Sequence, residues 1–193
     1  MTWVTTTALL AQLTAGEDDA WDRFAERYRE PVLHFARRLG IREGEAEDVA
    51  QDTLVAFLDA WRKGRYDRDK GRIGSFLFAI ASQQVRTFHR KAQRARPQGV
   101  ADTAFWRELP DEEGLRDSWD VSWAKTIFER CLDRARRELE PSTVRAFELT
   151  VLDERPVKDV AAELGLSANA VYIAKHRVLT RIKELREGYE RVA

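Results

Sequence analysis

After Pro156 the chain reads VKDVAAELGLSANAVYIAKHRVLTRIKELR, residues 157–186, and this stretch decides the fold. Val157, Val160, Ala161 and Leu164 fall at helical spacing, Gly165 supplies a residue that ends a helix at positive φ, and the Ser167 hydroxyl suits the cap of a following helix. That second helix sets Val171, Ala174, Val178, Ile182 and Leu185 on one side, at steps of three and four. Asn169, Tyr172, Lys175, His176, Arg177 and Arg181 lie largely elsewhere on it. One face packs; the other is polar and mostly cationic. A helix, a tight turn and a basic second helix form a helix–turn–helix, whose second helix presents its start to the major groove while flanking cations hold phosphates. The competing reading is an ordinary helical hairpin with a solvated basic face.

Toward the N-terminus strand signals are nearly absent and helical periodicity continues. Residues 20–29 place Trp21, Phe24, Ala25 and Tyr28 on one face, and Pro31 suits the first turn of a separate helix bearing Val32, Phe35, Ala36 and Leu39, closed by Gly40. Residues 45–62 set Ala46, Val49, Ala50, Thr53, Leu54, Phe57, Ala60 and Trp61 toward a core. A charged loop over 64–71 leads to a helix over 73–91, with Phe76, Leu77, Ile80, Ala81, Val85 and Phe88 expected inside and Arg86, His89, Arg90 and Lys91 clustered at its end.

From about Gln93 the character changes to Pro, Gly and many acids with poor periodicity, which reads as a linker. Trp106 and Trp119, with Trp123 just beyond, set it apart from a disordered tract, because such tracts are poor in aromatics. A second helical unit then runs through Ile127, Leu132, Leu139, Val144, Phe147, Val151 and Leu152 into the helix–turn–helix. The expected fold is all-α: two small helical domains, 1–92 and 123–193, joined by a flexible linker, 93–122.

Composition sets further bounds. The 193 residues are 44% apolar, enough for a real core, and Lys+Arg and Asp+Glu both number 33, for a formal net charge of zero. DNA binding by bulk positive charge is thereby excluded; it has to come from local segregation. Cys131 is the one cysteine, so neither an internal disulfide nor a thiol-based zinc cluster can form, and its expected role is packing on a helix over 124–139. No long apolar run suggests a membrane span, and the start lacks the basic region of a secretory signal, so the cytoplasm is the expected location. His34, His89 and His176 are dispersed among arginines, with no Gly-rich phosphate loop and no His/Glu pair at metal-ligand spacing. Neither catalysis, nor a cofactor or metal, nor a small-molecule substrate is expected.

Two motifs in this order, with an irregular stretch between them, resemble the sigma-70 factors, and within them the short two-domain extracytoplasmic-function group. AEDVAQDTLVAFLDAW (46–61) is similar to the family's acidic polymerase-binding helix, and YDRDKGRIGSFLFAIASQQVRTFHRK (66–91) to the segment that melts and reads the minus-ten element. LEPSTVRAFELTVLDERPVKDVAAELGLSANAVYIAKHRVLTRIKEL (139–185) resembles the domain that reads the minus-thirty-five element.

The resemblance implies core RNA polymerase and promoter DNA as partners and admits an anti-sigma factor. Once Val49, Leu54 and Phe57 face inward, Asp48, Gln51, Asp52, Val55 and Leu58 lie outward, carboxylates beside apolar groups, which suits a protein partner's arginines. By the resemblance this patch meets the polymerase clamp. Lys70, Arg72, Ser75, Gln83, Arg86 and Arg90 would handle the melted minus-ten strand, where exposed backbone needs cations and a flipped base needs a pocket. Ser167, Asn169, Tyr172, Lys175, Arg177 and Arg181 would meet the upstream element. The chain departs from many members at Gln83 and Thr87, where they carry asparagine and aspartate, and in having Ala170-Val171-Tyr172-Ile173-Ala174 for T-V-K-S-R. The promoter sequence therefore does not follow by analogy. The alternative of another class is a dimeric helix–turn–helix repressor or activator that binds palindromic operators unaided.

Overall fold

The computed structural model describes residues 6–17, 19–67, Asp69, 72–94 and 109–190, and among these there is no strand. The helices are α1 (Thr6–Ala15), α2 (Ala20–Arg38), α3 (Glu43–Arg62), α4 (Ile73–Arg94), α5 (Glu112–Glu138), α6 (Pro141–Phe147), α7 (Val157–Leu164) and α8 (Ala168–Glu190), with a π-helical turn over Glu148–Leu152. Two compact units result, one of Leu9–Thr126 and one whose body is Ile127–Ala193.

Aromatic side chains build the first unit, in which α2 packs on α3 and α3 on α4. Phe24 stacks on Phe57 with ring centroids 4.4 Å apart and lies 4.5 Å from Tyr28; Trp61 continues the stack to Tyr66 at 5.6 Å. Such rings bury large areas and add about 0.5–1.5 kcal/mol per pair beyond area alone. This explains why the expected break before Pro31 is absent: α2 is continuous and Pro31 lies buried inside it. A proline inside a helix costs about 3 kcal/mol, and burying Phe24, Tyr28, Val32 and Phe35 along one uninterrupted stripe offsets that. Pattern reading also passed over α1, whose Leu9 and Leu13 are buried.

Where a linker was expected, α5 begins at Glu112, eleven residues before Trp123. The Pro, Gly and acids that suggested irregular chain are its start signal. The Gly114 N–H donates to Asp111 Oδ1 at 3.0 Å, Glu112 and Glu113 occupy the first turn, and a Cβ on Gly114 would sit 2.7 Å from the Pro110 Cβ. The inward stripe is Leu115, Trp119, Ser122 and Thr126, at steps of four, three and four. Two of the four are hydroxyls that satisfy themselves on their own helix, Ser122 donating to the Ser118 carbonyl at 2.7 Å and Thr126 to the Ser122 carbonyl at 3.0 Å. That disguised the periodicity. Trp119, 5% exposed, lies 5.5 Å from Phe35 and 5.9 Å from Phe78; Trp123 stacks on Tyr28 at 5.6 Å, and Thr126 Oγ1 is 3.0 Å from His34 Nδ1. Trp106 lies outside the described residues.

Because this stretch covers one flank of α4, the buried stripe of that helix is rotated from the expected one. Phe78, Ser82 and His89 are buried along with Leu77, Ala81 and Val85, whereas Phe76, Ile80 and Phe88 are only half-buried. His89 thus belongs to the interior and not to the cationic end.

Mostly aliphatic side chains, with Phe147, build the second unit. Cys131, Leu132, Phe147, Val178 and Ile182 form one core cluster; Ala146, Leu149, Val160, Ala161, Val171 and Ala174 form the other. Burial pushes the Cys131 thiol up to about 11. The helix–turn–helix follows the expected plan. Gly165 closes α7 at φ +64°, and the Ser167 hydroxyl accepts the Ala170 N–H at 3.1 Å at the start of α8. Leu152, expected to continue the packed run, is exposed at the end of the π-helical turn.

Candidate polymerase- and DNA-binding surfaces

Each candidate surface is the side of a helix left over once its apolar stripe has packed. On α3 the stripe Ala46, Val49, Ala50, Thr53, Phe57 and Ala60 is buried, and Asp48, Gln51, Asp52 and Val55 are exposed opposite it, with Leu58 half-buried. Val55 is 58% exposed, and Asp48 and Asp52 enter no ion pair among the described residues. Two carboxylates beside an uncovered apolar side chain suit a basic, partly apolar protein surface. Asp59 extends the acidic row, but Lys63 Nζ donates to its carboxylate at 2.7 Å and lowers its pKa.

On α4, Ser75, Gln83, Arg86 and Arg90 follow at steps of eight, three and four and so share one side, with exposed Arg72 just before the helix. Lys70 lies outside the described residues. Gln83, Arg86, His89, Arg90, Gln93 and Leu109 line a cleft. His89 forms its inner wall, its pKa lowered by burial and raised in part by a hydrogen bond with the Leu39 backbone. The cations here are already occupied: Arg86 pairs with Glu112 of α5 at 2.7 Å, and Arg90 donates to Thr87 Oγ1 at 3.1 Å. Nothing in the linear pattern couples Arg86 to an acid 26 residues away.

On α8, Asn169, Tyr172, Lys175 and Arg177 are exposed, Tyr172 by 59%, and Lys175 and Arg177 enter no ion pair among the described residues. Ser167 is spent on capping. Arg181, also expected to meet the upstream element, pairs with Glu138 at 2.7 Å and Glu184 at 2.8 Å. Glu138 is a partner from another helix that spacing along α8 does not reveal.

Residues 24–95 match the model of sigma-70 region 2 and residues 129–182 that of sigma-70 region 4, which together take in α2 to α4 and the helix–turn–helix. The chain is 31% identical to the ECF RNA polymerase sigma factor ShbA of Streptomyces griseus, over 93% of this chain and 94% of the relative. It is also 31% identical to the ECF RNA polymerase sigma factor SigD of Mycobacterium tuberculosis, over 92% and 82%, and 25% identical to the ECF RNA polymerase sigma factor BldN of Streptomyces coelicolor, over 92% and 64%. The chain belongs to the sigma-70 family, in its ECF group. It is an RNA polymerase sigma factor, a DNA-binding regulator acting in transcription initiation. Among the described residues of this sigma factor no helix is long and apolar enough to cross a membrane.

Proposed function

We propose that this sigma factor divides its work among three helix faces. The outer face of α3, through Asp48, Gln51, Asp52, Val55 and Leu58, holds the polymerase clamp. The Ser75, Gln83, Arg86 and Arg90 side of α4, with Lys70 and Arg72, receives the melted minus-ten strand. The start of α8 reads the minus-thirty-five element through Asn169 and Tyr172, while Lys175 and Arg177 hold phosphates. Residues 1–92 and 123–193 carry the downstream and upstream readers, and Glu112–Thr126 packs with the former.

The observation that carries this reading is the segregation on α3 and α8: each presents, opposite a fully packed stripe, a face whose chemistry matches one partner. Zero net charge supports the same division. Without long-range attraction to DNA, the free chain gains little affinity for promoters, and polymerase supplies the remainder. The protein performs no chemistry of its own, uses no cofactor or small-molecule substrate, and works in the cytoplasm, where an anti-sigma factor would compete for these same faces.

The test is a pull-down with core polymerase, followed by run-off transcription. Charge reversal at Asp48 and Asp52 should lower polymerase binding at least tenfold and leave thermal stability within about 0.5 kcal/mol, the range for exposed substitutions. Unchanged affinity removes α3 from the polymerase interface. Nanomolar, sequence-specific promoter binding by the isolated chain near physiological salt would contradict the dependence on polymerase.

A further inference from the structure

Over residues 169–180 the strip of α8 directly opposite its buried side chains carries neither arginine nor lysine. Val171, Ala174, Val178 and Ile182 are buried. Half a turn away Asn169, Ile173, His176 and Thr180 follow at steps of four, three and four, all exposed, with Tyr172 along one edge. Lys175 and Arg177 flank this strip on its two sides. A helix lying in the major groove directs such a strip at the base edges and its flanks at the two phosphate walls.

Ile173 stands out on it. A branched apolar side chain set between an amide and an imidazole, it leaves 46% of its surface to water in the free chain, surface that an apolar partner would cover with a gain. The base-edge code gives it a partner. Guanine is read by arginine or lysine, adenine by asparagine or glutamine, and thymine by apolar contact with its C5-methyl. Asn169 and Ile173 are four residues apart, about 6 Å along the helix, which spans at most two base pairs at about 3.4 Å each.

Resting on the assignment of α8 as the promoter reader, we propose that Ile173 is a specificity-determining residue that reads a thymine methyl within two base pairs of an adenine held by Asn169. The preferred upstream element then carries adenine and thymine at those two positions, and guanine is not selected there.

The experiment uses holoenzyme made from the full chain and core polymerase, with run-off transcription from duplexes randomised over the upstream element. The selected sequences should place a thymine within two pairs of an adenine whose selection is lost in Asn169→Ala. Each selected thymine is then replaced singly by deoxyuridine, which removes only the methyl. At one position this should lower transcription roughly fourfold, the equivalent of about 0.8 kcal/mol for one methyl-sized group. Ile173→Ala should lose the thymine preference at that position and show no further loss with deoxyuridine, whereas Ile173→Val should retain both. Because the residue is exposed, the variants should match the parent in thermal unfolding. Equal transcription from thymine and deoxyuridine at every position, or a thymine preference surviving in Ile173→Ala, overturns the assignment. A holoenzyme with no preference anywhere in the upstream element overturns the reading of α8 itself, and Ile173's role with it.

Discussion

The two candidate DNA surfaces hold their positive charge differently. On α4 Arg86 pairs with Glu112 of another helix and Arg90 is turned onto Thr87; on α8 Arg181 is paired, and Lys175 and Arg177 enter no ion pair among the described residues. A free cation that meets phosphate releases condensed counterions and makes binding salt-dependent. An arginine that exchanges a carboxylate for a phosphate changes its partner and little else. Net zero charge is thus unevenly distributed: the candidate surface on α8 keeps part of its electrostatic pull, and the one on α4 holds Arg86 in reserve behind the start of α5.

The largest expected effect comes from breaking that cover. Trp119→Ala removes a side chain buried against Phe35 and Phe78 and should destabilise the first unit by about 3–5 kcal/mol. Amide exchange over 112–126 should accelerate first; a loss below about 1 kcal/mol with protection intact would mean that other contacts hold the helix start.

Removing free charge from α8 comes next. Arg177→Ala should weaken holoenzyme binding on all upstream sequences alike and reduce the slope of log affinity against log salt by about one unit. An unchanged slope would show that Arg177 faces no phosphate. On α4 the contrast can be erased from the other side. Glu112→Gln leaves Arg86 without its anionic partner and should raise affinity for a single-stranded minus-ten oligonucleotide up to about fivefold, since exposed pairs are worth about 0.2–1 kcal/mol. Fluorescence anisotropy measures this, and equal affinities would show that the pair does not restrain Arg86.

The smallest effect concerns Arg181, the α8 cation that behaves like those of α4. Its hydrogen bond, followed by that of Arg134, lowers the Glu138 pKa, so the charged carboxylate is favoured in the folded state. The resulting stability is present above the ordinary glutamate range and is lost as pH falls through the lowered folded value. Arg181→Ala should therefore reduce the melting temperature slightly at about pH 6 and converge with the parent toward about pH 3. A constant gap across that range would assign Arg181's contribution to packing.

How much of this was legible in the sequence depended on how local the cause is. The turn at Gly165, the Ser167 cap and most of the buried stripes of α3 and α8 follow from residues within two turns of one another and the structure has them as read, while Leu54, Trp61 and Leu185, also expected inside, are only half-buried. Pro31 and the start of α5 were misjudged because their causes are tertiary. A proline tolerated by an aromatic core looks like a helix start, and a stripe made half of hydroxyls looks like loop. Among the site residues, exposure of Asp48, Asp52, Asn169 and Tyr172 was readable as the complement of a stripe. The partners of Arg86 and Arg181 were not, since each is an acid on a different helix, 26 and 43 residues away. Ile173 carried a signal that was passed over: its place opposite Val171 and Val178 is visible in the spacing alone.

The aromatic core of the first unit also has an optical consequence. Residues 127–193 contain no tryptophan, while Trp21, Trp61, Trp119 and Trp123 all lie in the Leu9–Thr126 unit. Indole emission from the unlabelled chain is therefore weighted toward the first unit, where α5 meets α2 and α4. Any event that lifts Trp119 out of its slot between Phe35 and Phe78 will register as a red shift, whereas melting of the helix–turn–helix, whose helices carry no tryptophan, will register chiefly in backbone dichroism. The chain thus carries its own two-channel readout, in which indole emission is weighted toward the covering helix and its aromatic neighbours and backbone dichroism follows every helix.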